Sequence, residues 1–222
     1  MKQGTGFASY LMAIVCATSI AAAVAQTPHT HHHSFGDAQS WAKVFDDPQR
    51  DTWQKPHEVI QVLKLKPNAV IADIGSGTGY FSARFAHMVP QGKVYGVDTE
   101  PDMVKYLAER AKREGLGNIV PVTGAPNDPR LPEKADLIIF VDVFHHVEGR
   151  GNYFRKLRDS LRSEGRIAII DFRMDSPVGP PKSGRIPPEQ VKAEMQQAGY
   201  TLVQEHGFLP NQYFLVFQPG KS

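Results

Sequence analysis

The sequence predicts an α/β domain, a mostly parallel sheet with helices on both faces that ends in an antiparallel hairpin. Three observations predict it. From residue 69 onward, short apolar runs of strand length alternate with helix-length segments, the pattern of consecutive β-α units. A glycine-rich loop stands between the first apolar run and the helix after it. Only Phe208 to Asn211 separates the last two runs, whereas a parallel crossover needs about a dozen residues.

The chain has 222 residues, 41% of them hydrophobic and 22% charged. That composition is ordinary for a globular protein and excludes disorder, collagen and a multi-span membrane protein. Net charge is +2, from 25 basic and 23 acidic residues. No block of basic residues stands out, so no nucleic-acid partner is expected. Cys16, the single cysteine, lies in the leader, so the mature body has no disulfide, no thiol nucleophile and no thiolate metal ligand.

Residues 1–25 form that leader. Lys2 is a weak charged start, Phe7 to Ile20 is strongly apolar, and Ala23-Val24-Ala25 gives an A-x-A cleavage pattern. A secretory signal is the preferred reading, with the body periplasmic or secreted. An uncleaved inner-membrane anchor is the alternative, since 19 uncharged residues from Phe7 to Ala25 approach the ~20 that span a bilayer. A lipoprotein would need a small residue before Cys16, where Val15 stands. Residues 26–34 carry His29, His31, His32 and His33. Such dense imidazoles can bind zinc, copper or nickel. The tract has no carboxylate or thiolate at fixed spacing, so a flexible solvated tail without a metal site is preferred.

Residues 35–66 read as a helical extension. Phe35, Trp41, Val44 and Phe45 form one apolar set, and Val59, Ile60, Val62, Leu63 and Leu65 form another. Asp46 to Pro56 between them is polar and turn-rich, and Lys66-Pro67-Asn68 closes the second helix. The main domain occupies 67–222. Its first strand, Ala69 to Ile74, is a continuous apolar run, as expected of a strand buried on both faces. A helix from about Tyr80 to Met88 follows, then a strand from Lys93 to Asp98 and a helix from Pro101 to about Glu114. Ile119 to Thr123 and Asp136 to Val141 are the third and fourth strands. A helix from about Asn152 to Leu161 leads to a fifth strand, Gly165 to Phe172. Pro187 to Gly199 is a helix with Pro early and Gly at its end. Tyr200 to Gly207 and Gln212 to Gln218 make the hairpin.

The most informative segment is Asp73-Ile74-Gly75-Ser76-Gly77-Thr78-Gly79. It lies at the carboxyl end of the first strand and opens a helix, the place where open α/β sheets bind ligands. Alternate glycines let the backbone approach a ligand closely. Their G-x-G-x-G spacing is not the G-x-G-x-x-G of dinucleotide binding. Asp98 closes the second strand, 19 residues after Gly79, where a carboxylate can accept both hydroxyls of a ribose.

The acid-x-G-x-G-x-G loop, Val97-Asp98, and Val141-Asp142-Val143-Phe144-His145-His146-Val147 after strand four together resemble the class I S-adenosylmethionine (SAM) dependent methyltransferases. The resemblance covers roughly residues 57–218. Its double-histidine segment is most similar to small-molecule methyltransferases of the ubiquinone and menaquinone biosynthesis type. The resemblance implies a Rossmann-like seven-stranded sheet in the order 3-2-1-4-5-7-6, with strand 7 antiparallel. It implies SAM as cofactor and a small-molecule acceptor, with no metal.

Carried over, the resemblance has Asp73 orienting the loop and receiving the SAM ammonium through the loop or water. Gly75, Ser76, Gly77, Thr78 and Gly79 form the cradle for the amino-acid part. Asp98 holds the ribose hydroxyls, and Thr99 and Met103 pack on the adenine. Relatives often have Gly-Asp-Ala after strand three; here Gly124-Ala125-Pro126-Asn127-Asp128 departs from it, and Asn127 or Asp128 would supply that contact. Asp142 lies near the methionine end. His145 and His146 are the candidate catalytic bases, because imidazole titrates near neutral pH; a helix-capping or backbone-binding role is the alternative.

Trp41, Phe45 and Trp53 could belong to a lid, with packing on the sheet edge preferred for the first two. Arg173 suits an anionic substrate or a surface salt bridge equally. Lys182 and Arg185 lie in the Pro/Gly-rich stretch 177–188, a substrate loop or a linker. No Asn-Pro-Pro-aromatic motif follows strand four, which argues against amino methylation of DNA bases or glutamine. The absent thiol excludes arsenite methylation by the cysteine route. A nicotinamide dehydrogenase is the enzyme rival, and a non-catalytic SAM or nucleoside-binding module is the rival of another class. SAM is made in the cytosol, so the leader and the cofactor pull in opposite directions.

Overall fold

The structure is a computed structural model and describes residues 37–220 besides Met1. The leader, the histidine tract and Phe35 lie outside the described residues. One seven-stranded sheet organises the rest, in the order β3-β2-β1-β4-β5-β7-β6. Its strands are β1 Val70–Ile74, β2 Lys93–Asp98, β3 Ile119–Thr123, β4 Ala135–Val141, β5 Leu161–Phe172, β6 Tyr200–His206 and β7 Gln212–Pro219. β1 pairs parallel to β2 and β4, and β4 pairs parallel to β5. β7 inserts between β5 and β6 and runs antiparallel to both, as the short link before it requires.

Every residue of β1 is buried, because helices cover both faces of the sheet there. Helices α3 (Pro56–Leu63), α4 (Tyr80–Met88) and α5 (Pro101–Arg113) contribute Val59, Phe81, Phe85 and Leu107 to a core on one face. Helices α6 (Arg150–Leu157) and α7 (Pro188–Gln197) contribute Phe154, Leu157, Val191 and Met195 to a core on the other. Among the described residues, no helix is long and apolar enough to cross a membrane.

Three parts of the chain depart from the sequence reading. The polar connection 46–56 carries a helix of its own, α2 (Arg50–Gln54), after α1 (Ala38–Phe45). Its composition hides the helix because α2 is fixed by tertiary contacts of its polar side chains, described below, and not by an apolar stripe. The second helix, α3, ends at Leu63, where Lys64 turns left-handed at φ 49°, before Pro67 is reached. The fifth strand starts at Leu161, where a helix end was expected. Gly165 does not open that strand. It lies where the β4–β5 register shifts, and a Cβ there would lie 2.9 Å from the carbonyl oxygens of Ala135 and Arg162.

Gly96 sits in the middle of β2, over the fully buried Leu107 of α5. A Cβ at that position would collide with the Leu107 side chain, which the core holds in place. The substitution Gly96→Ala should therefore destabilise the fold by about 1–3 kcal/mol. Urea denaturation followed by circular dichroism measures this directly.

Candidate active site

The carboxyl ends of β1, β2, β4 and β5 meet on one rim of the sheet, the place where such sheets bind ligands. At the end of β1 the chain enters the glycine loop. Gly75, Gly77 and Gly79 all have positive φ, at 69°, 53° and 87°. A side chain at Gly75 would strike Val143. The loop bends back onto β2 through Gly75 N–H and Ser76 N–H, which donate to Val97 O at 2.8 and 3.0 Å. Asp73 is buried beneath it, with Ser82 Oγ donating to its carboxylate at 2.6 Å. Burial pushes the Asp73 carboxyl up to about 6, against the pull of the Ser82 hydrogen bond.

Asp98 faces the same loop. Its two carboxylate oxygens accept Gly77 N–H at 2.8 Å and Glu100 N–H at 3.0 Å. Each oxygen keeps a second lone pair for another donor. Burial raises the Asp98 pKa, against the opposing backbone hydrogen bonds. Ser76 Oγ is buried without a hydrogen-bond partner. Thr99 is exposed beside Asp98, while Met103, on α5, is buried to 1%. Asn127 is exposed at the tip of a tight turn in which Ala125 N–H donates to Asp128 O at 2.7 Å. Asp128 accepts Arg130 N–H at 2.8 Å.

Beyond β4, Asp142 takes a left-handed backbone at φ 59°. Its carboxylate closes a ring of four side chains. Arg50 Nη2 lies 3.5 Å from Asp142 Oδ2, and Arg50 Nε donates to Gln54 Oε1 at 2.8 Å. Gln54 Nε2 donates to Gln212 Oε1 at 2.9 Å, and Gln212 Nε2 donates to Asp142 Oδ1. Burial pushes the Asp142 carboxyl up to about 7, with Asp171 adding to the rise and Arg50 opposing it.

His145 lies in a short 3-10 turn after Asp142. Its Nδ1 is 2.9 Å from both carboxylate oxygens of Asp171, and its backbone N–H donates to Asp171 Oδ2 at 3.1 Å. Burial penalises the imidazolium, but the Asp171 hydrogen bond and the charges of Asp171 and Asp142 outweigh it, so the His145 pKa lies above its ordinary value. His146 is exposed, and its ring lies 4.1 Å from that of His145. His145 is thus held by the carboxylate of Asp171. Among the described residues, no group of three or more His, Asp, Glu or Cys is placed to hold a metal ion.

The extension covers this rim. The Phe45 ring edge lies 3.3 Å from where a Gly77 Cβ would stand, and Trp41 stacks on Phe45 at 5.3 Å. The preferred expectation, packing on the sheet edge, is therefore corrected: α1 lies against α5 and over the glycine loop. Arg110 of α5 fastens it, donating to Asp46 Oδ1 at 2.9 Å and to Thr78 O at 3.1 Å. Asp51 accepts the Tyr80 hydroxyl and pairs with Arg84 at 2.8 Å. Trp53 meets Phe172, ring centres 6.1 Å apart. Arg173 pairs with the exposed Asp175 at 2.8 Å, the surface salt bridge of the two alternatives. Arg185 donates to five carbonyls between Arg173 and Pro180 at 2.7–3.4 Å, so it braces the 173–181 loop.

Sequence reasoning missed Arg50, Gln54, Asp171 and Gln212. For Asp171 a signal existed: an acid at the end of the apolar run Ile167 to Ile170 demands a partner.

This strand order, with a glycine loop after β1 and a carboxylate ending β2, defines the SAM-dependent methyltransferase fold. Residues 65–207 match the family described as a methyltransferase domain, and the chain belongs to that family. It is 33% identical over 158 residues to a protein-L-isoaspartate O-methyltransferase of Aeropyrum pernix, covering 68% of this chain and 57% of that one. It is 26% identical over 133 residues to a malonyl-[acyl-carrier protein] O-methyltransferase of Acetivibrio thermocellus, covering 59% and 46%. The chain thus spans about half the length of these relatives. A solved SAM-dependent methyltransferase from Aquifex aeolicus shares the fold, with TM-score 0.75 and 24% identity over 82% of this chain and 97% of that one. SAM is the cofactor that family and fold imply. The residues present fit it: a left-handed glycine loop whose backbone a ligand can approach closely, a buried hydroxyl lacking a partner, and a carboxylate with lone pairs to spare.

A carboxyl raised to about 7 in the folded state, against an ordinary value of 3.8, means that the folded chain binds that proton more tightly. Stability is then greatest below the unfolded value and falls as pH rises to about 7. Asp142→Asn removes this titration. From pH 4 to 7, its stability should fall less steeply than that of the parent, by on the order of 2 kcal/mol. Thermal melts across that range check it.

Proposed function

We propose that the protein transfers the methyl group of SAM to a small-molecule acceptor. The observation that carries this reading is the convergence on one rim of Gly77 N–H and Asp98 with the Asp142–His145–Asp171 cluster. One half of the rim is built to hold a nucleoside and an amino acid. The other half holds carboxylates and an imidazole where an acceptor would stand.

On this reading Asp98 accepts the ribose hydroxyls while it keeps Gly77 in place. The glycine loop lets the amino-acid part approach its backbone closely, and Asp73 supports the loop from below. Bound there, SAM supplies a methyl group already activated on a sulfonium. The chain's own residues then orient the acceptor and exclude water, and orientation alone is worth effective molarities of ~10⁵ M or more. Restriction to a small acceptor is supported by the roof. The Arg50–Gln54–Gln212–Asp142 ring and the Phe45 ring lie over the rim, and a tRNA or a folded protein would have to displace both. The two relatives named above are O-methyltransferases, which accords with transfer to oxygen. The leader read from residues 1–25 would export this body, and fractionation of cells expressing the full chain, probed by immunoblot, should find it outside the cytoplasm.

Calorimetric titration with SAM tests the cofactor site. Asp98→Ala should weaken binding about 100-fold, the loss of charge-assisted contacts worth roughly 3 kcal/mol together. Unchanged affinity would remove Asp98 from the site.

A further inference from the structure

Residues 38–54, the α1–α2 part of the extension, cover the glycine loop but take little part in the core. Among them only Ala38 and Gln54 are buried. The next helix is the opposite case. α3 begins at Pro56 and sets Val59, Ile60 and Leu63 into the core with at most 4% exposure. Between the two stands Lys55, in a left-handed backbone at φ 44° and ψ 55°. A non-glycine residue adopts that region singly, where the chain changes direction. A covering segment thus joins an anchored helix through one residue.

Three ion pairs fasten the segment, each to a different part of the domain. Arg50 meets Asp142 after β4 at 3.5 Å, Asp46 meets Arg110 of α5 at 2.9 Å, and Asp51 meets Arg84 of α4 at 2.8 Å. Asp46 also accepts Thr78 Oγ1 of the glycine loop at 3.1 Å. The Arg50 and Arg84 guanidiniums lie over the Tyr80 ring, 4.2 and 3.9 Å from its centre. No member of the three pairs is fully sealed, since side-chain exposure runs from 14% to 50%. Pairs of that kind are individually weak and are screened by salt.

Beneath the segment, groups that fit the cofactor are shut off from solvent. The Phe45 ring comes within 3.3 Å of the Gly77 Cβ position, where a glycine would let a ligand approach. Thr78 is fully buried. Ser76 Oγ is buried and unpartnered, a cost that a ligand's hydrogen bond would remove. A ligand cannot reach the loop through a cover that touches it, so the cover must move.

We infer that residues 38–54 form a hinged gate: they swing about Lys55 to admit SAM and release its product, and the three ion pairs latch them shut. The inference rests on the methyl-transfer reading and specifies how its cofactor site is entered. Gln54 adjoins the hinge, so its hydrogen bond to Gln212 is displaced least, while α1, farthest along the chain, moves most. Phe172 is the fixed stop. Trp53 closes on its ring, and Gly179 of the loop braced by Arg185 packs on the same ring. Closure excludes water from the sulfonium, and each turnover needs an opening to exchange product for fresh donor.

The chain's two tryptophans, Trp41 and Trp53, both lie in the gate, so intrinsic fluorescence reports its movement without a label. The test uses the purified full chain and SAM, and needs no acceptor. In stopped flow, the observed rate of SAM binding should reach a plateau at high SAM, set by opening. Asp51→Ala cuts the latch to Arg84, outside the cofactor site, and should raise that plateau about fivefold. Salt at about 0.5 M should raise it in the parent as well. Hydrogen exchange followed by mass spectrometry gives a second readout that needs no variant. Without SAM, amides of 38–54 should exchange at least about tenfold faster than those of α3. SAM should slow 38–54 by about tenfold or more and leave α3 unchanged. Exchange of 38–54 and α3 as one unit overturns the gate while the methyl-transfer reading stands. So does a binding rate with no plateau, or with the same plateau in Asp51→Ala. A parent protein that does not bind SAM overturns that reading and the gate with it.

Discussion

The rest of the site depends on one half-buried carboxylate, that of Asp142. It stands where β4 ends, in a left-handed backbone that a non-glycine residue adopts only under constraint. Through it, Arg50 of α2 and Gln212 of β7 are joined to the centre of the sheet, and Gln54 completes the ring. Four side chains from three distant segments thus satisfy one another's donors and acceptors. Each would be costly to bury alone, and closing the ring removes most of that penalty. The extension is therefore an integral part of the rim. It is held there by the polar group most central to the site.

The glycine loop and the extension have opposite mechanical characters. The loop is over-determined: Val97 O takes two of its N–H groups, Asp98 takes a third, and Val143 and Leu107 fill the space where Cβ atoms would go. The α1–α2 part of the extension is attached largely by polar contacts, Asp46 to Arg110, Asp51 to Arg84 and Tyr80, and Lys55 to Phe208 O. Such contacts exchange readily with water when partly exposed, and each contributes on the order of 1 kcal/mol or less. A rigid floor under a roof of separable pairs is the arrangement expected of a site that must admit a ligand and then shield it.

The sheet could be read from the sequence because its signals are local. Period, length and punctuation fix β1, β2 and α4, and the short link before Gln212 dictates an antiparallel partner. The glycine loop and Asp98 were legible for the same reason: each lies at a strand end where its type is informative. α2 was not, because Arg50 and Gln54 find their partners 92 and 158 residues away. Nor was the carboxylate that holds His145, because Asp171 comes from the next strand. Arg185 was misleading in the other direction. A cation in a Pro/Gly-rich stretch suggests a ligand, yet its donors are taken by the carbonyls of its own loop.

Charge on the rim also bears on how a transfer here would be accelerated. Asp142 and Asp171 stand against Arg50 and a His145 whose pKa is raised. Fully ionised carboxylates would favour a cationic sulfonium donor over its neutral thioether product. That preference stabilises the ground state, and ground-state stabilisation alone raises the barrier to a step in which the cation disappears. Burial tempers it. The Asp142 carboxyl is pushed up to about 7, which favours the neutral acid and weakens the negative potential. The discrimination that remains favours release of the thioether, while the rate must come from fixed geometry: a braced imidazole, a rigid glycine floor and a roof that excludes water.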